Sequence, residues 1–135
     1  MKTSSVVYLG DLRTEAVHLA SGNKLITDAP VDNQGKGEFF SPTDLLATSL
    51  ASCMMTIMGI LARQYHFELK GTRAEVTKIM GTDPRRVAEV VIDFFFPPGL
   101  TERDKKFIQA AIDNCPVGKS VHPDLKQTIN LHYDE

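Results

Sequence analysis

The stretch from Ser41 to Ile60, SPTDLLATSLASCMMTIMGI, decides how the rest of the chain is read. Ser41 offers a hydroxyl to the first unpaired N–H groups of a helix, Pro42 has the φ that the first helical position needs, and Asp44 sits where a carboxylate reaches back to the cap. No further proline follows until Pro84. Leu46, Leu50, Cys53, Ile57, Ile60 and Leu61 recur at three- and four-residue intervals, the spacing of one helical face. Leu45, Met54, Met55 and Met58 make the other side apolar too. Such a helix, on the order of 35 Å long, must be covered on most of its surface. A sheet covers one face, so the pattern predicts a second subunit on the other.

Around this helix the chain alternates with strand-like segments. Before it, residues 6 to 19 mix β-branched, aromatic and polar side chains, and Ser21-Gly22-Asn23 provides a turn into Lys24 to Thr27, which predicts a β-hairpin. DAPVDNQGKGEFF, with Pro30, Gly35 and Gly37, reads as a long loop. After Tyr65 the period changes to two: Leu69 to Met80, a turn at Gly81-Thr82-Asp83-Pro84, and Arg86 to Phe96 with Val90, Ile92, Phe94 and Phe96 opposite Val87, Glu89, Val91 and Asp93. Thr101 to Asp104 opens a second helix with the stripe Phe107, Ala110, Ala111 and Cys115, and Pro116 ends or bends it. Ile129, Leu131 and Tyr133 alternate with Thr128, Asn130 and His132 in a closing strand. The order predicts a single α+β domain over residues 1–135 with a largely antiparallel sheet.

Composition narrows the function classes. The chain has 135 residues, 42% hydrophobic and 24% charged, which suits one globular domain with a core of its own. A net charge of −2 gives no basic footprint for nucleic acid or an anionic membrane. The first twenty residues hold only short apolar runs, so neither a signal peptide nor a span is read there, and a cytoplasmic location is expected. Gly35-Lys36-Gly37 does not have the strand, spacing and helix of a nucleotide loop. His18, His66, His122 and His132 are scattered without zinc-ligand spacing, and no metal or other cofactor is expected.

Two cysteines in a reducing compartment leave three readings: packed thiols, metal ligands or a reversible redox pair. The reactive form of a cysteine is the thiolate. Cys53 lies about three turns into its helix, beyond the strong part of the helix dipole, among Leu and Met that disfavour charge, so a reactive Cys53 requires a nearby cation. Cys115, in NCPVGKSVHPDL, stands at a helix end whose carbonyls also disfavour a thiolate; an exposed turn there would suit a resolving thiol.

Together, SPTDLLATSLASCMMTIMGI and NCPVGKSVHPDL resemble the OsmC/Ohr superfamily, the osmotically inducible and organic hydroperoxide resistance proteins, and the resemblance covers nearly the whole chain. GDLRTEAVHLASGN and TDAPVDNQGKGEFFSPTD fit the OsmC-like branch. The resemblance implies an intertwined homodimer in which antiparallel sheets from both chains enclose two long central helices. It implies a thiol peroxidase acting on organic or lipid hydroperoxides, with Cys53 peroxidatic, Cys115 resolving, and a dithiol such as a lipoylated protein as reductant. The family's arginine before the first turn falls at Arg13, whose guanidinium suits a thiolate and a peroxide oxygen. The glutamate expected at the helix start is replaced by Thr43, with Asp44 assigned to the cap and Glu38 the candidate partner for Arg13. The competing expectation is a non-catalytic or small-ligand-binding protein of the same fold with structural cysteines.

Overall fold

The computed structural model describes residues 1–134. Two compact units are present, residues 1–46 and 47 onward, and the long helix begins in the first and continues through the second.

In the first unit, β1 (Ser4–Gly10), β2 (Arg13–His18) and β3 (Lys24–Asp28) form an antiparallel meander in the order β1-β2-β3. Residues 6 to 19 are therefore not one strand. The chain reverses at Asp11 and Leu12, both at positive φ (54° and 62°), a conformation that hides behind an apolar leucine in the sequence. The predicted turn at Ser21-Gly22-Asn23 is present, with the Gly22 N–H donating to the His18 carbonyl at 2.7 Å. The loop that follows folds back on β3: the Asp28 N–H donates to the Phe40 carbonyl at 3.1 Å, and the Gly37 N–H to the Ala29 carbonyl at 3.2 Å. Gly35 approaches Ala29 so closely that a Cβ would lie 1.8 Å from its carbonyl oxygen, so no larger residue fits there.

Helix α1 (Pro42–Tyr65) starts as its sequence dictates. The Asp44 N–H donates to Ser41 Oγ at 3.0 Å while Asp44 Oδ2 accepts from the Ser41 N–H at 2.9 Å, a closed capping box. By length and composition α1 could cross a membrane, with a mean hydropathy of 1.9 over its most apolar window. It packs instead as a core helix, but on a different stripe from the one expected. Ala47, Leu50, Ala51, Met54, Met58 and Ala62 are buried, whereas Leu46 and Ile60 are 38% and 55% exposed. Small and flexible side chains let α1 sit close to its sheet, and they define the inner face more than the larger aliphatic ones do.

That sheet consists of β4 (Arg73–Gly81), β5 (Arg86–Phe96) and β6 (Lys126–Tyr133), in the order β4-β5-β6. β4 begins after a turn at Leu69–Thr72, so the predicted start at Leu69 is too early. β4 and β5 are antiparallel, but β6 runs parallel to β5, carried across by α2 (Glu102–Asp113) and α3 (Pro116–Ser120). Val90, Ile92, Phe94 and Phe96 point into the core as the alternation requires. Val87 joins them because the register shifts by one residue between Ile79 and Met80, which leaves Ala88 as an extra residue and turns Val87 inward. Thr101 caps α2 in a second capping box with Asp104. The buried stripe of α2 is Asp104, Ile108 and Ala111; Phe107, expected in it, instead stacks on Tyr65 with ring centroids 3.9 Å apart. One apolar cluster joins α1, β5, α2 and Cys115.

Candidate functional site

Cys53 projects from the middle of α1 and is partly exposed, while Cys115 is 1% exposed. The exposure expected for Cys115 is thus absent, although Asn114 and Pro116 on either side of it are exposed. Pro116 prevents α2 from continuing, and the chain starts α3 with Pro116 at its first position and Cys115 as its N-cap. The Gly118 N–H donates to Cys115 Sγ at 3.4 Å, and Sγ lies 3.9 Å from the Leu50 carbonyl oxygen on α1. Cys115 therefore meets the amide end of one helix rather than only the carbonyl end of another. The two cysteines lie close to one another with no disulfide between them. Burial first, and the neighbouring Cys53 thiol second, push the Cys115 thiol above the ordinary cysteine range. Cys115 is consequently held as a protonated, recessed partner of a more accessible sulfur.

The first unit carries a cationic clamp. Arg13 begins β2 directly opposite Asp28 at the end of β3. Arg13 Nε donates to Asp28 Oδ1 at 2.7 Å and Nη2 donates to Asp28 Oδ2 at 2.8 Å, a bidentate pair. Nη2 also donates to Glu38 Oε1 at 3.0 Å, and the Phe39 ring centroid is 4.8 Å from the guanidinium carbon. Asp28 is 1% exposed and accepts a further hydrogen bond from the Glu38 N–H at 3.1 Å. The guanidinium holds the Asp28 carboxyl below the usual range despite its burial, and Asp28 in turn holds Arg13 firmly charged. Two sequence candidates, Arg13 and Glu38, are thereby brought together, as are Cys53 and Cys115. The clamp belongs to the first unit and the thiol pair to the second.

The family model for OsmC-like proteins matches residues 35–130. The chain belongs to the OsmC-like family. A crystal structure from Psychrobacter arcticus 273-4, provisionally described as an osmotic stress induced and detoxification response protein, is 59% identical, covers 98% of this chain and 96% of its own, and superposes with a TM-score of 0.94. An OsmC-like protein from Mycoplasma pneumoniae shares the fold at 19% identity, with a TM-score of 0.79 over 100% and 99% of the two chains. An organic hydroperoxide resistance protein OsmC from Legionella pneumophila does so at 16% identity, with a TM-score of 0.73 over 98% of each chain. A search of curated proteins finds no match.

In this OsmC-like chain the helix start holds no glutamate. Thr43 Oγ1 lies 3.1 Å from Ser41 Oγ, and Asp44 closes the cap. The carboxylate that meets Arg13 most closely is Asp28, which the sequence reading missed. Its signal was present in the hairpin: the register that pairs Val17 with Lys24 across the Gly22 turn also pairs Arg13 with Asp28. The histidines remain apart: His18 bonds Ser21, and His132 lies 2.9 Å from Asp93. Among the described residues no three His, Cys, Asp or Glu side chains gather as a metal site.

Proposed function

We propose that this OsmC-like protein is a thiol-dependent peroxidase for organic hydroperoxides. The observation that carries the reading is the pair of free thiols close to one another, one partly exposed and one recessed. In the first step the Cys53 thiolate attacks the terminal peroxide oxygen. The S–O bond forms as the O–O bond breaks, the sulfur loses two electrons, and the alkoxide takes a proton and leaves as the alcohol. Cys115, after losing its proton, then attacks the sulfenic sulfur; water departs and a disulfide remains. A dithiol returns both cysteines to the thiol state. No metal or organic cofactor enters these steps.

Arg13 supplies the cation in this scheme. Its Nε and Nη2 are engaged by Asp28 and Glu38, and among the described residues Nη1 makes no hydrogen bond, so that edge is the one left to donate to a thiolate or a peroxide oxygen. Asp28 and Glu38 act as positioning residues. The apolar side chains left open on α1 and on the first sheet, Ile60, Val6 and Tyr8 among them, support a homodimer. Free thiols suit a reducing, cytoplasmic location.

The test mixes reduced protein with cumene hydroperoxide and follows thiol loss and alcohol formation. Wild type should turn over and Cys53→Ser should not; equal slow consumption by both ends the proposal. A second reading, a non-catalytic family member, is favoured by the role of Cys115 as a buried cap in a packed core. In that case peroxide would leave both thiols intact at concentrations that oxidise free cysteine.

A further inference from the structure

The guanidinium of Arg13 is engaged on its Nε–Nη2 edge by Asp28, on Nη2 again by Glu38, and on one face by the Phe39 ring, whose centroid lies 4.8 Å from Cζ. Phe39 sits between two residues that are themselves tied to Asp28: the Glu38 N–H donates to Asp28 Oδ2 at 3.1 Å, and the Phe40 carbonyl accepts from the Asp28 N–H at 3.1 Å. One buried carboxylate thus fixes both the arginine and the backbone that carries the ring. The ring is still 47% exposed, and it does not join the apolar cluster built on α1 and β5. Core packing therefore does not account for a phenylalanine at this position.

We infer that Phe39 is a specificity-determining residue, whose ring receives the hydrocarbon body of a hydroperoxide while Nη1 of Arg13 meets its oxygens; this rests on the reading above that Arg13 binds the peroxide. The N–H groups of a guanidinium lie in its plane, so an oxygen bonded to Nη1 is held at the edge of that plane. The carbon bearing the O–O group follows directly, and a group on it turned toward the covered face meets the open part of the ring. An aryl or branched alkyl body there gains contact with an apolar surface that is otherwise wetted. Hydrogen peroxide has the same oxygens and no body, so it takes the hydrogen bond without the contact. Because Asp28 locks ring and guanidinium to each other, the spacing between the two contacts is fixed. That spacing favours a compact body attached at the peroxide carbon, as in an aryl or tertiary alkyl hydroperoxide.

Phe39→Ala should lower kcat/KM for cumene hydroperoxide about tenfold more than that for hydrogen peroxide, the size expected when one apolar contact is lost, and Phe39→Trp should restore the preference. A ring that only steadied Arg13 would lower both substrates alike; that result, or an unchanged ratio, overturns the proposal and leaves the peroxidase reading in place. Phe40→Ala is the control, since Phe40 is 50% exposed and next in the chain, and an equal change of ratio there would show a general effect of the loop and refute the assignment. Cumyl alcohol keeps the body and lacks the peroxide bond, so its binding to the reduced protein, followed by saturation-transfer NMR, needs no turnover. Wild type should bind it, and Phe39→Ala about tenfold more weakly; no binding, or equal binding, rules out the contact. If wild type consumes no peroxide yet holds cumyl alcohol through Phe39, the peroxidase reading falls and the apolar contact stands.

Discussion

Replacing Ile60 with lysine tests what covers the outer face of α1. Ile60 is 55% exposed in the single chain, on the side of the helix away from the buried stripe, so the fold of one chain gains little from it. Full burial of an isoleucine is worth about 1.5–3 kcal/mol, and roughly half of that remains to be gained at this position. A two-fold homodimer counts the residue twice, which gives about 2–3 kcal/mol per dimer. The lysine variant should therefore dimerise about 30- to 150-fold more weakly. Sedimentation equilibrium across a dilution series measures the constant directly, and far-ultraviolet circular dichroism checks that the helix is retained. Ile79→Lys is a matched control, since Ile79 is 42% exposed on a strand of the second sheet facing away from the helices. If Ile60→Lys leaves the dissociation constant within about threefold of wild type, or if wild type is a monomer throughout, the inference from exposed apolar surface to a second copy is wrong.

Four further outcomes bear on the site. Asp28→Asn should lower peroxide turnover at least about tenfold while Asp28→Glu restores part of it, because only a carboxylate can hold Arg13 in place; equal losses in the two variants would show a packing role alone. Cys115→Ser should leave the first oxidation rate intact and accumulate sulfenic, then sulfinic acid on Cys53, seen by dimedone labelling and mass; a disulfide persisting in that variant would contradict the pairing. Because the Cys115 thiol is raised by burial, its attack on the oxidised partner should accelerate as pH rises through and beyond the ordinary cysteine value of about 8.5, measured by stopped-flow after a single peroxide pulse; a flat profile would oppose a protonated resolving thiol. Asp28, Asp93 and Asp104 all have depressed carboxyl pKa values, so the stability they add is present above the unfolded carboxylate value of about 3.9 and is lost as pH falls through their folded values; urea midpoints that do not drop between pH 6 and pH 3 would exclude this contribution.

The parts of the fold that were legible in the sequence are those whose physics is local. Ser41, Pro42 and Asp44 specify a helix start by contacts within four residues, and Thr101 with Asp104 does the same for α2. The alternation of Val90, Ile92, Phe94 and Phe96 fixes an inward face through a period that needs no partner to be read. What could not be read depends on a neighbour. An all-apolar helix does not say which stripe faces its own sheet, so Met54 and Met58 changed places with Leu46 and Ile60. The extra residue at Ala88 is defined only against β4, and the parallel course of β6 only against β5.

The same division explains the site. Cys53 and Cys115 stood out because thiols are rare and Pro116 marks one of them, yet 61 residues lie between them, and neither their distance nor the burial of Cys115 can be read from that spacing. The partner of Arg13 was sought at the helix start, where Thr43 stands, although the hairpin already placed a carboxylate opposite it. A cross-strand pair forms with the strands themselves, so the cation is fixed by the backbone register of β2 and β3 rather than by the docking of a helix end. Thr43 then costs the clamp nothing, because Asp28 and Glu38 already meet the guanidinium with two carboxylates. The site is to be compared by the charge that reaches the arginine, and in this chain that charge comes from β3 and the loop behind it.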